Sequence, residues 1–120
     1  MSRLLVVDDD ADILEALAVV LEDCHEVSTA NNGLEALRLL QTQTFDAMIL
    51  DLMMPLMDGE TLLEKMRDGG IVVPVVLASA SSDITLLAAR LGVEHITKPY
   101  DISVLEEKLA RLVVGSGSNG

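Results

Sequence analysis

Uninterrupted apolar runs alternate with helix-spaced apolar stripes along nearly the whole chain, and this alternation leaves few folds open. Residues 4–7, 47–50 and 72–77 are the uninterrupted runs. Strands covered on both faces read this way, because successive side chains enter two different cores. Residues 25–30 and 93–97 instead mix Glu26, Ser28, Glu94, His95 and Thr97 with apolar side chains, the pattern of half-exposed edge strands. Between the runs, Ile13, Leu14, Leu17 and Leu21 recur at helical spacing, as do Ala36, Leu37 and Leu40, then Leu62, Leu63 and Met66, then Leu105, Leu109 and Leu112. Residues 84–91 supply the remaining helix. Helix starts are signalled by Asn32 three residues before Glu35, by Ser103 three before Glu106, and by Asp58 and Asp83 ahead of periodic stretches.

Strand then helix, five times over, predicts an α/β domain: a doubly wound, flavodoxin-like (βα)5 fold with a five-stranded parallel sheet and right-handed crossovers. With the second and fifth strands as edges, the first and third are most simply neighbours, giving the order 2-1-3-4-5. The 120 residues, half of them hydrophobic, suit one core. Residues 1–114 are read as the domain and 115–120, GSGSNG, as a flexible tail, either a linker or a cloning remnant. No membrane span is expected, because the longest apolar runs fall far short of the roughly 20 residues required. Eight Lys and Arg against 20 Asp and Glu leave a formal charge of −12, which argues against nucleic acid or an anionic membrane as a direct partner. Phe45 and Tyr100 are the only aromatic residues, so no stacking platform is available. A lone cysteine, Cys24, and the lack of a leader pattern point to a reducing, cytoplasmic location.

In open α/β sheets, ligands bind beyond the carboxyl ends of the strands, where the strand order reverses. Asp8, Asp9 and Asp10 stand at the end of the first strand, Asp51 at the third, Ser79 at the fourth and Lys98 after the fifth. Two carboxylates about 4 Å apart repel by ~4 kcal/mol at an effective dielectric near 20. A gathering of three therefore calls for compensating positive charge. Oxygen donors without thiol or imidazole suit Mg²⁺ or Mn²⁺ better than Zn²⁺. Three carboxylates, one divalent cation and Lys98 sum to zero formal charge. An aspartate held there can attack phosphorus, and Asp51 is the candidate nucleophile. Helix capping would explain Asp10 or Asp12 but not four acids together. Taken singly, Lys98 reads as a solvated lysine and Ser79 as a turn hydroxyl; their joint placement at strand ends favours a site.

These residues resemble the receiver domain of two-component response regulators, from Leu4 to about Val114. The resemblance is carried by LLVVDDD at the first strand, DAMILDLMMPLMDG around Asp51, PVVLASA ending the fourth strand and TKPY around Lys98. It implies a signalling switch in which Asp51 accepts a phosphoryl group from the phosphohistidine of a histidine kinase or histidine phosphotransfer protein. Asp9, Asp51 and the Met53 carbonyl would ligate Mg²⁺, with Asp8 acting chiefly through a metal-bound water. Ser79 would be the hydroxyl switch residue and Lys98 its lysine partner, with the Lys98–Pro99 bond often cis. The domain would catalyse its own phosphoryl transfer and autodephosphorylation rather than conventional turnover, and would control an effector domain or a downstream protein. Met53 and Ser81 stand where the family modulates phosphate loss, and neither strongly orients an attacking water. The chain departs from the pattern at His95, where an aromatic that follows the switch is usual. It departs again at Leu56, where glycine is common, and in the short interval between Ser79 and Lys98.

Three other readings compete, one of them a degenerate receiver that binds partners without phosphorylation, although every residue the chemistry needs is present. Asp8 and Asp10 imitate the D-x-D pair of haloacid-dehalogenase-like phosphatases, but Asp12 stands where that motif wants Thr or Val. Asp8, Asp10 and Asp12 alternate as in a calcium loop, but Ile13 replaces the turn glycine and Val19 the distal glutamate.

Overall fold

The structure is a computed structural model and describes residues 2–54 and 56–117. Strands β1 (Ser2–Val7), β2 (His25–Ala30), β3 (Ala47–Asp51), β4 (Val75–Ser79) and β5 (Glu94–Thr97) alternate with helices α1 (Ala11–Leu21), α2 (Gly33–Thr42), α3 (Gly59–Asp68), α4 (Ile84–Leu91) and α5 (Ile102–Gly117). The strands are parallel in the order β2-β1-β3-β4-β5, as the edge-strand patterns predict.

The uninterrupted apolar runs arise because neighbouring residues serve opposite faces of the sheet. Leu5, Val7, Met48, Leu50 and Leu77 form one core with Ala36 and Leu40 of α2, Leu62, Leu63 and Met66 of α3, and Ile84 of α4. Leu4, Val6, Ala47, Ile49, Val76 and Ala78 form the other with Leu14, Leu17 and Leu21 of α1 and Leu105 and Leu109 of α5. The predicted helical stripes are thus the surfaces that cover the sheet. Both edge strands are only partly covered along their length.

The fourth strand lies later than its apolar run suggests. Val72 is 91% exposed, and pairing begins at Val75. Pro74 offers no N–H to a ladder, and its carbonyl accepts from the Met48 N–H at 2.9 Å, so it stands just ahead of the strand. The strand gains Ser79 at its far end. Asn32 and Asp58 cap their helices as expected, accepting from the Glu35 and Thr61 N–H groups. Ser103 does not cap α5; its N–H and hydroxyl both donate to Asp101 Oδ1, and the helix starts one residue earlier at Ile102. Asp83 makes no side-chain capping bond to α4. Of the stretch read as a tail, residues 115–117 continue α5, and 118–120 lie outside the described residues.

Gly33 lets α2 approach the segment that follows β3. A methyl group there would meet the Met57 carbonyl oxygen at 2.6 Å and its Cβ at 2.8 Å. Backbone cannot yield as a flexible side chain would, so Gly33→Ala is expected to destabilise the domain by about 1–3 kcal/mol in urea unfolding. An unchanged midpoint would contradict this packing.

Candidate functional site

Asp8 directly follows β1 and Asp51 ends the adjacent parallel β3, so the pairing of Val7 with Leu50 brings the two aspartates side by side. Both residues are almost fully buried, at 4% and 5% exposed. Asp9 is exposed at the rim, and one carboxylate oxygen from each of Asp8, Asp9 and Asp51 lies within 4.8 Å of the others. Lys98 enters from the turn after β5, its Nζ 3.1 Å from Asp8 Oδ2 and 3.2 Å from Asp51 Oδ1. One ammonium therefore bridges two buried carboxylates.

The surrounding backbone holds these groups in place. The Asp10 N–H donates to Asp8 Oδ1 at 2.9 Å, and the Met53 N–H donates to the Asp51 carboxylate. The Lys98 N–H donates to the Ser79 carbonyl at 2.9 Å, tying the lysine's turn to the end of β4, and the Lys98–Pro99 peptide is cis. Ser79 is buried, and its Oγ accepts from the Ser81 N–H at 3.0 Å.

Burial, and then repulsion from Asp8, push the Asp51 carboxyl from 3.8 up to about 6, against the opposing pull of Lys98. Burial alone would lower Lys98, but its contacts with Asp8 and Asp51 raise it on balance. The pocket thus gathers more negative charge than one lysine offsets. A donor set of carboxylate oxygens, with carbonyls nearby, fits a hard cation such as Mg²⁺ or Mn²⁺. Asp8, Asp9 and Asp51 could hold it.

Not all of the expected residues converge. Asp10 turns its carboxylate to the start of α1, accepting from the Asp12 and Ile13 N–H groups. The D-x-D reading therefore loses its second acid, and the alternating-acid calcium loop loses a ligand. The Met53 side chain points to solvent, leaving only main-chain atoms to serve the site. His95 lies partly buried on β5, with Nε2 3.2 Å from Thr85 Oγ1 of α4 and no bond to the acidic pocket.

Two contributors escaped the sequence reading. The Asp10 N–H steadies Asp8, which no residue-type pattern reveals. Gly59 lies so close to the site's backbone that a methyl group would meet the Asp51 carbonyl oxygen at 2.9 Å and the Leu52 Cα at 3.0 Å. The aspartate–glycine pair ahead of α3 was the available clue. Leu56 adopts φ 70°, the left-handed region, which costs a branched residue about 1–2 kcal/mol. Its departure from the usual glycine is therefore a strained one.

Residues 4–110 match the sequence model of the response regulator receiver domain. The chain is 36% identical over 98% of its length to a "Transcriptional regulatory protein CpxR homolog" of Haemophilus influenzae, of which it covers 53%. It is 34% identical over 92% of its length to "Response regulator MprA" of Mycobacterium ulcerans, of which it covers 48%. The chain thus spans about half the length of these curated relatives. Among solved structures, the receiver domain of Francisella response regulator 1452 superposes with a TM-score of 0.90 at 31% identity, covering 97% of this chain and 99% of that one. The chemotaxis protein CheY4 of Vibrio cholerae superposes with a TM-score of 0.84 at 29% identity, covering 93% and 98%.

The raised Asp51 value carries a stability consequence. A carboxyl that binds its proton more tightly when folded favours the folded state at low pH, and that advantage is lost as pH rises from about 4 through about 6. At pH 7 without divalent cation, Asp51→Asn should therefore stabilise the domain by about 1–3 kcal/mol, with the gain shrinking toward pH 4. Thermal unfolding at the two pH values checks this, and destabilisation at pH 7 would contradict it.

Proposed function

Because the chain belongs to the response regulator receiver domain family of two-component signalling, we propose that it is a phosphorylation-driven switch with Asp51 as phosphoryl acceptor. The observation that carries this reading is the Lys98 ammonium bridging buried Asp8 and Asp51, with the Asp9 carboxylate alongside. A structural ion pair needs one acid per base. Three acids around one lysine suit a centre that receives both a cation and an anionic group.

In the proposed reaction, an Asp51 carboxylate oxygen attacks the phosphorus of a phosphohistidine. An oxygen–phosphorus bond forms, the nitrogen–phosphorus bond breaks, and the leaving imidazole keeps the bond's electron pair and takes up a proton. Lys98, already 3.2 Å from Asp51 Oδ1, is placed to neutralise oxygens of the transferring group. Asp8, Asp9, Asp51 and the Met53 carbonyl would hold Mg²⁺ or Mn²⁺, which when bound supplies further charge stabilisation. The same site would catalyse autodephosphorylation. Met53 and Ser81 beside it offer no strong general base, which favours slow decay.

The aspartyl phosphate carries about −1.5 to −2 charges where a carboxylate carried one. Ser79 is proposed to answer this increment by giving up the Ser81 N–H and turning its hydroxyl to the phosphoryl oxygens, with His95 as the second element of the switch. Moving a population from 1:99 to 99:1 takes ~5.5 kcal/mol, more than one hydrogen bond provides. The switch must therefore draw on several contacts.

The proposed donor is a histidine kinase or histidine phosphotransfer protein in the cytoplasm. The proposed output is an attached effector domain or a downstream protein, in keeping with relatives about twice as long. Among the described residues no helix is long and apolar enough to cross a membrane. Direct nucleic-acid or membrane contact by this acidic domain is not part of the proposal.

Incubation with acetyl phosphate and Mg²⁺ should add one phosphoryl group, detected by intact-protein mass spectrometry. Asp51→Asn should abolish the addition and Lys98→Ala should slow it by about 10²-fold or more. Addition that persists in Asp51→Asn would overturn the assignment.

A further inference from the structure

Helix α4 is short and starts without a side-chain cap. It spans Ile84–Leu91, buries Ile84 and Ala88, and has no side-chain capping bond from Asp83. Arg90 ties its far end to Glu60 of α3, with Nη2 3.1 Å from Oε2. Toward β5 its tie is the Thr85 hydroxyl, 3.2 Å from His95 Nε2.

His95 is itself fixed from behind. Its N–H donates to Glu94 Oε1 at 2.9 Å, and Lys108 Nζ of α5 lies 3.2 Å from the same oxygen. Register connects this group to the site. His95 pairs with Leu77 and Thr97 with Ser79, so Ser79 and His95 project from the same face of the sheet, two residues apart along it. Leu77 on that face packs in the core that includes Ile84 of α4. Inward movement of Ser79 would therefore pull on the loop that leads directly into the helix held by Thr85 and His95.

We propose that the Thr85–His95 hydrogen bond is a latch that holds α4 on β5 while Asp51 is unphosphorylated, and that its release is part of the switch. This rests on Asp51 being the phosphoryl acceptor. The hydroxyl and the ring nitrogen can exchange donor and acceptor roles, so the latch survives either tautomer of His95. Phosphorylation must then work against it, and weakening it should shift the resting population toward the released arrangement.

Thr85→Val removes the hydroxyl from an exposed position and keeps the side chain's shape; Thr85→Ser keeps the hydroxyl. In the unphosphorylated protein, Thr85→Val should speed amide hydrogen exchange at Leu87, Ala88 and Ala89 by about two- to fivefold, the factor one partly exposed hydrogen bond supplies. Thr85→Ser should leave exchange near the wild-type rate. Beryllofluoride with Mg²⁺, titrated by backbone NMR, should bind Thr85→Val more tightly by the same factor. Unchanged exchange in Thr85→Val, or faster exchange with unchanged beryllofluoride affinity, would overturn the latch. If instead wild type and Asp51→Asn respond alike to beryllofluoride, the acceptor assignment fails, while the exchange rates still judge whether Thr85 holds α4.

Discussion

The contact on which the rest of the site depends is the bridge from Lys98 to Asp8 and Asp51, at 3.1 and 3.2 Å. Two buried carboxylates on neighbouring strands repel strongly in a low-dielectric interior, and a single ammonium relieves part of that repulsion. The incomplete relief matters chemically. It leaves Asp51 raised to about 6, with burial and then Asp8 as the causes, and leaves room for further positive charge. A pocket already neutral would have less reason to admit a cation, and the cation in turn offsets the charge of an incoming phosphoryl group.

The fold makes this arrangement follow from ordinary constraints. Parallel pairing of β1 with β3 sets Asp8 beside Asp51, and the Lys98 N–H bond to the Ser79 carbonyl fixes the turn that delivers the lysine. Gly59 permits the backbone after Asp51 to lie against the start of α3, and Gly33 does the same for α2 and Met57. The site is therefore held by strands and helix ends, with the β4–α4 segment beside it turned by hydrogen bonds through Ser79 and Ser81. Ser79 is buried at the boundary between the two.

Most of the architecture was legible because side-chain periodicity reports burial directly. The two apolar-rich central strands β1 and β3, the edge patterns of β2 and β5, and the strand order all follow from it. Val72 misled because hydropathy does not register that Pro74 lacks an N–H, so an apolar segment reads as strand where it only leads into one. Ser103 misled because Asp101 offered its hydroxyl and N–H a better partner than a capping role. The convergence of Asp8, Asp9, Asp51 and Lys98 was legible because strand ends meet at one edge. The diversion of Asp10 to α1 and the Thr85–His95 bond were not, since both turn on side-chain direction rather than residue spacing.

Asp51 is proposed to sit in a pocket whose excess negative charge admits a cation and, with it, a phosphoryl group. The most direct measurement is the carbon-detected NMR titration of the Asp51 side-chain carboxyl, with and without Mg²⁺. A midpoint near pH 6 is expected in the absence of the metal, with a clear downward shift when it is present. A midpoint in the ordinary aspartate range that ignores Mg²⁺ would contradict it.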